Sequence, residues 1–327
     1  MKPEIIAHRG ASYLAPENTL TAFRKAMELG ADGVEMDVQQ TADAGLVIHH
    51  DYIIDLHTEI SGKIYDMTMF ELKDLDFGSW KGVNFKDEKI ATLHEAMELC
   101  RSMEQVTVQL ELKATMDNDP DFVPRVLEEL QATDMVDRVI LVSFNHDLLR
   151  QAKQLLPQLR VGALIYGAVE SVLFPASFWN VSGIASDWQD ENGTETEPTL
   201  PDAVSPEELN EENSSWMTRW ITDKISMLRA SFPGENLREI YTHLEQQRDP
   251  AAYVASLDFP LEYISCEYHT AYSNPKFIQR LHEMGVKVAL WTVDTEDAVH
   301  WLLQTGPDAL ITNRPDRVRE WMENAES

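Results

Sequence analysis

The feature that most restricts how this 327-residue chain can fold is its alternation of short apolar runs with amphipathic helical patterns. Runs of strand length and composition occur at Ile5–Ala7, Gly33–Val38, Val106–Leu112, Val139–Val142, Val161–Ile165, Tyr263–Cys266, Val286–Thr292 and Ala309–Ile311. Most are followed by a helical pattern, at Leu20–Leu29, Phe122–Gln131, His146–Leu156, Pro275–Met284, Glu296–Gln304 and Asp316–Asn324. That order marks βαβ units around a parallel sheet. Eight such strands predict an α/β fold of the (β/α)8 TIM-barrel type, with its site at the C-terminal strand ends. Barrels of this kind reach this length as one domain, so residues 1–327 are expected to form a single domain.

Two segments interrupt the alternation. Residues 52–91 are loop-rich and contain Gly62, Gly78 and Gly82, which predicts a small inserted subdomain after the second strand, placed to cover the site. Residues 166–261, before the sixth strand, exceed a normal crossover by roughly 75 residues. They include an acidic, apolar-poor run at 187–198 with the composition of a mobile loop. Within the same insertion, Trp216, Trp220, Ile221, Ile225 and Leu228 recur at helical spacing. The plain reading of that helix is packing on the barrel wall; the others are a homo-oligomer face or a substrate lid.

Composition narrows the partners. With 27 Lys+Arg against 56 Asp+Glu the net charge is −29, which argues against nucleic acid and anionic membrane surfaces. Any phosphate-bearing substrate must then be held by local cations. Cys100 and Cys266 have no metal, redox or disulfide spacing, which fits a reducing compartment. The N-terminal residues run into the first strand without an apolar stretch suited to a signal peptide or stable membrane anchor, so a cytoplasmic location is expected.

Five islands place acidic, basic and metal-ligating side chains at strand ends: His8-Arg9-Gly10, Pro16-Glu17-Asn18-Thr19, Glu35-Met36-Asp37, His49-His50-Asp51 and Glu111-Leu112-Lys113. Glu35 and Asp37 are two apart on a strand and share a face. With Glu111 they make an oxygen-rich set suited to Mg²⁺ or Ca²⁺. Taken alone, the Glu35/Asp37 pair reads as two hydrogen-bonded caps; the third carboxylate and the two histidines shift that balance. Cleavage of a phosphodiester needs a base, an acid and positive charge at phosphorus. His8 and His50 can carry protons near neutral pH, while Arg9 and Lys113 can grip non-bridging oxygens. His49 competes with His50, but alternation sends the two to opposite faces. Asn18 or Thr19 would serve as a helix N-cap in any case. Asp51 reads as a loop cap or as the group that orients His50, and Trp291 reads as core.

These islands, with Gly30-Ala31-Asp32, Thr41-x-Asp43, Trp291-Thr292-Val293 and Thr312-Asn313-Arg314-Pro315, resemble the glycerophosphodiester phosphodiesterase family of phospholipase-C-like barrels over residues 5–165 and 262–318. The resemblance implies hydrolysis of a small-molecule glycerophosphodiester to glycerol 3-phosphate and an alcohol. It implies one divalent cation on Glu35, Asp37 and Glu111, with His8 and His50 as the acid–base pair. Arg9 and Lys113 would hold the phosphate, Glu17 and Asn18 would support them, and Trp291 would line the glycerol side. Two alternatives are a lysophospholipase-D-like enzyme, with the 216–228 helix at the lipid surface, and a non-catalytic binding barrel. This chain departs from the family at Ala44, where glycine is usual, at Leu56-His57, in place of Arg-Thr, and in the length of 166–261.

Overall fold

The computed structural model describes residues 2–104, 106–113, 119–167, 230–232, 234–235 and 237–325. Eight parallel strands close on themselves: β1 (Glu4–Ala7), β2 (Gly33–Gln40), β5 (Thr107–Leu112), β6 (Val139–Ser143), β7 (Arg160–Ile165), β8 (Tyr263–Glu267), β9 (Lys287–Trp291) and β10 (Ala309–Thr312), with β10 pairing back to β1. This is the expected TIM barrel. Two short strands, β3 (Leu46–Ile48) and β4 (Ala91–Thr92), extend it antiparallel from β2. Among the helices, α1 (Leu20–Glu28), α2 (Met69–Asp74), α3 (Leu93–Arg101), α4 (Phe122–Ala132) and α5 (His146–Leu155) lie in the first half of the chain. The second half adds α6 (Leu237–Gln246), α7 (Pro250–Ser256), α8 (His269–Ser273), α9 (Phe277–Glu283), α10 (Glu296–Leu302) and α11 (Pro315–Asn324).

The strands read as almost continuous apolar sequence because both their faces are covered. Outward residues such as Val34, Val108 and Leu141 join the helix faces of Phe23, Met97 and Val126 in one cluster. Inward residues form two smaller groups: Ile6, Ala289, Ala309 and Ile311 on one side, and Ile140, Val142, Leu164 and Tyr263 on the other, with Trp291 packed against both. The interior is thus filled by side chains up to the level of Trp291, and the C-terminal rim is where a site has room to form. Gly33 permits the close β2–β5 approach, since a Cβ there would lie 2.4 Å from the Thr107 carbonyl oxygen.

Residues 52–91 carry their own core of Ile54, Ile64, Leu72, Phe77 and Ile90 against Val47 of β3. Its helix α2 starts with a complete capping box, Thr68 with Glu71. The preceding turn keeps a left-handed residue although it is alanine: Ala44 sits at φ 64°. The acidic run at 187–198 and the tryptophan-bearing pattern at 216–228 lie outside the described residues. The described remainder of the long insertion includes Ala230–Phe232, which are buried, and helices α6 and α7. No helix among the described residues is long and apolar enough to cross a membrane.

Candidate active site at the barrel mouth

Register brings the acidic residues together. Asp37 on β2 pairs in register with Glu111 on β5, and Glu35 lies one pleat repeat below Asp37 on the same face. One oxygen of each of Glu35, Asp37 and Glu111 lies within 4.8 Å of the others, and all three residues are buried. Burial, then repulsion from Asp37 and Glu111, holds the Glu35 carboxyl well above the carboxylate range. Burial and Asp37 likewise push Glu111 up to about 7, against the pull of Lys113. Asp37 goes the other way. Burial would raise it, but His50, Lys113, Arg9 and the Asn18 amide hold it below its ordinary value.

Two cations flank this cluster. Lys113, 4% exposed, places Nζ 3.1 Å from Glu111 Oε1 and 3.8 Å from Asp37 Oδ1. Arg9 donates its backbone N–H to Glu35 (3.0 Å) and Nη1 to Glu17 (2.7 Å), with Nε 3.7 Å from Asp37. Although burial opposes charge on both, the surrounding carboxylates keep Arg9 and Lys113 protonated. The Arg9 main chain adopts φ 55°. Gly10 follows at φ 81°, where a Cβ would come within 2.7 Å of the Ala22 backbone, so glycine is required for α1 to pack against this turn.

The histidines stand on either side. His8 Nε2 lies 4.0 Å from Glu35 Oε2, and burial with Arg9 nearby lowers its pKa to about 4. His50, whose Nδ1 is 2.8 Å from Asp51 Oδ1, is held well below its ordinary value by burial, Arg9 and Lys113. His49 turns away from this cluster. Its ring packs on Phe77 and donates from Nδ1 to the Asp51 carbonyl (2.8 Å). The choice between Asn18 and Thr19 is also resolved: Thr19 caps α1, while Asn18 donates to Asp37 Oδ2 at 2.8 Å. Trp291 stands across the mouth, edge-on to Phe144 with ring centroids 6.1 Å apart.

Several residues given no role from sequence belong to the same site. Asn313 Nδ2 donates to Asp294 (2.6 Å), which leaves Oδ1 to face His8 Nδ1 at 2.8 Å. His8 therefore carries its proton on Nδ1 and presents a bare Nε2 towards Glu35. Ser12 Oγ lies 2.8 Å from both Asn313 Oδ1 and the His8 carbonyl. The Thr312-Asn313-Arg314-Pro315 motif was visible in the sequence, but its partner lies 305 positions away. A groove of about 700 Å³ lies at the opposite end of the barrel, beside Arg101, Arg138 and Arg160. Arg138 donates there to the carbonyls of Cys100, Met103 and Val106, which makes it a strut of the barrel floor.

Residues 8–173 and 216–317 match the model of the glycerophosphoryl diester phosphodiesterase family. The chain belongs to this family of phosphoric diester hydrolases. The matched regions leave out 174–215, inside the long insertion. A glycerophosphodiester phosphodiesterase from Caldanaerobacter subterraneus is 42% identical over 164 residues, 50% of this chain and 67% of that protein. Human glycerophosphodiester phosphodiesterase 1 is 43% identical over 97 residues, 29% of each chain. The similarity thus spans 67% and 29% of these two relatives. Among solved structures, an Oleispira antarctica phosphodiesterase in complex with the product sn-glycerol-3-phosphate superposes with a TM-score of 0.65 at 24% identity, covering 98% of this chain and 97% of that one. At that identity it supports the barrel fold.

Proposed function

We propose that the protein hydrolyses glycerophosphodiesters to sn-glycerol 3-phosphate and an alcohol, with one divalent cation, Mg²⁺ or Ca²⁺, at Glu35, Asp37 and Glu111. The observation that carries this reading is the convergence of those three buried carboxylates between two histidines and two protonated cations. The donor set fits such an ion: it is all oxygen, and Asp37 Oδ1 is buried without a hydrogen-bond partner. A bound cation would neutralise charge on the non-bridging oxygens and remove the repulsion that raises Glu35 and Glu111.

In this reading Arg9 and Lys113 hold the phosphate from opposite sides of Asp37. His8 and His50 are the proton carriers, one taking the proton of the attacking oxygen and the other returning one to the leaving alcohol. Both rings are neutral by burial and by their cationic neighbours. An arriving phosphodiester anion opposes that effect and lets one of them charge. Asn313 and Asp51 fix the Nδ1–H form, so Nε2 of each ring is left for the substrate. Glu17 holds the Arg9 fork, Asn18 steadies Asp37, and Trp291 with Phe144 forms the wall against the glycerol. The reaction is placed in the cytoplasm, a reading supported by two buried cysteines that form no disulfide.

A second reading, activity on lysophospholipids, draws support from exposed apolar side chains on the loop after β1, Tyr13 and Leu14, and on the 52–91 excursion, Leu56, Trp80 and Val83. The test is turnover of metal-loaded protein on glycerophosphocholine, glycerophosphoethanolamine, glycerophosphoglycerol and a lysophospholipid, with vesicle co-sedimentation alongside. Faster turnover of the water-soluble diesters without vesicle binding is expected. Lysophospholipid turnover above all three, with binding, would favour the second reading, and no turnover of any would overturn both.

A further inference from the structure

We propose that His57, on the excursion between β3 and β4, is a positioning residue for the His50–Asp51 pair. This rests on the proposed role of His50 and adds to it a residue from outside the barrel frame.

The argument follows from hydrogen-bond parity. The Asp51 carbonyl can only accept, so His49, 2.8 Å away through Nδ1, must donate from that atom. With the Nδ1 proton spent on that carbonyl, Nε2 of the buried imidazole is a bare lone pair inside the protein. His57 Nδ1, 3.2 Å from that lone pair, must be the donor. The same His57 nitrogen lies 3.8 Å from Asp51 Oδ2, while Asp51 Oδ1 faces His50 Nδ1 at 2.8 Å. Asp51 is therefore approached by His49 at its carbonyl and by His50 and His57 at its two carboxylate oxygens.

The far side of this turn is fixed by the barrel. Gln39 of β2 donates Nε2 to the carbonyls of His49 (2.7 Å) and Asp51 (2.8 Å). From the excursion the turn is met by His57, which is 8% exposed and packs edge-on against Trp80 with centroids 4.6 Å apart. Trp80 is followed by Lys81, which donates Nζ to the Ser12 carbonyl (2.7 Å), beside His8 and Asn313. The excursion thus touches the supports of both histidines. Losing the His57 donor leaves the buried His49 Nε2 unpaired and loosens the ring that holds the Asp51 carbonyl, so that the turn shifts and displaces His50.

The test compares wild type, His57→Leu, which keeps bulk and removes the donor, and His57→Asn, whose amide nitrogen occupies the place of Nδ1. Steady-state turnover of glycerophosphocholine with saturating Mg²⁺ is measured beside the NMR signal of the His50 Nδ1 proton in metal-free protein. The leucine variant is expected to lose about tenfold or more in kcat with KM within about twofold, and to broaden the His50 proton signal, while asparagine recovers most of both. Wild-type kcat in the leucine variant, or equal losses in the two variants, would overturn the proposal. If leucine prevents folding, His57→Gln, which moves the donor outward by one bond, takes its place under the same criteria. An inactive wild type with a normal His50 signal would defeat the functional reading alone, because the NMR comparison of the variants does not depend on turnover.

Discussion

The two halves of the barrel mouth are built from different materials. On the side of β1, β2 and β5 stand His8, Arg9, Glu35, Asp37, Glu111 and Lys113, each paired with another charge or hydrogen-bonded across a few ångströms. On the side of β6, β7 and β9 stand Phe144, stacked at 4.5 Å on Tyr166, and Trp291. Glu267, at the end of β8, turns its carboxylate onto His269. The first half is suited to what every phosphodiester shares, its charge. The second offers shape and apolar contact, and is suited to choosing what is attached to the phosphate. Charge geometry tolerates little displacement in a low-dielectric site, whereas an apolar wall can repack.

That contrast can be broken by substitution. His8→Ala and His50→Ala should each lower kcat by roughly 10²–10⁴-fold while calorimetry still detects cation binding. Near-normal turnover in either would remove that histidine from the acid–base pair. Lys113→Met leaves Glu111 without its buried counter-charge and Asp37 with Arg9 alone, and chemical denaturation of the metal-free protein should show a loss of about 3–5 kcal/mol. Trp291→Phe, by contrast, should act mainly on KM, by a fewfold, with kcat nearly unchanged. Equal losses on both sides of the mouth would mean that the two halves do not divide the work.

The pH dependence sharpens the same point. Glu111 has a folded pKa raised to about 7, and Glu35 is also raised. Raised carboxyl values mean that the folded metal-free protein holds extra protons. Their contribution to stability is present below the ordinary carboxylate range and is lost as pH rises towards 7. Cations compete with those protons. The increase in Tm on adding Mg²⁺ or Ca²⁺ should therefore grow from pH 5 to pH 8, and an increase independent of pH would place the cation elsewhere. The smallest expected effect lies away from the mouth. Ala44→Gly relieves a left-handed alanine and should raise stability by about 1 kcal/mol in denaturant midpoint experiments, with kcat unchanged.

The charged half was legible in the sequence because each of its groups sits in a short motif at a strand end. A strand period of two was enough to put Glu35 and Asp37 on one face, and parallel register then delivered Glu111. The strands themselves were legible as apolar runs. What could not be read was long-range side-chain pairing. Asn313 supports His8 from just after the last strand, and Ser231 Oγ lies 3.2 Å from the Tyr166 hydroxyl after a long insertion. The role of His57 depends on tautomers that only the assembled loop defines. Periodicity reports which face a residue occupies. It carries no information about which distant loop will meet that face.

The central claim is that the charged half works through a cation held by Glu35, Asp37 and Glu111. Its most direct test is release of sn-glycerol 3-phosphate from glycerophosphocholine by chelator-treated protein, before and after one equivalent of Mg²⁺ or Ca²⁺. We predict no release before addition and recovery after it, with no recovery in Asp37→Ala. Full turnover in chelator, unchanged by either ion, would contradict the account.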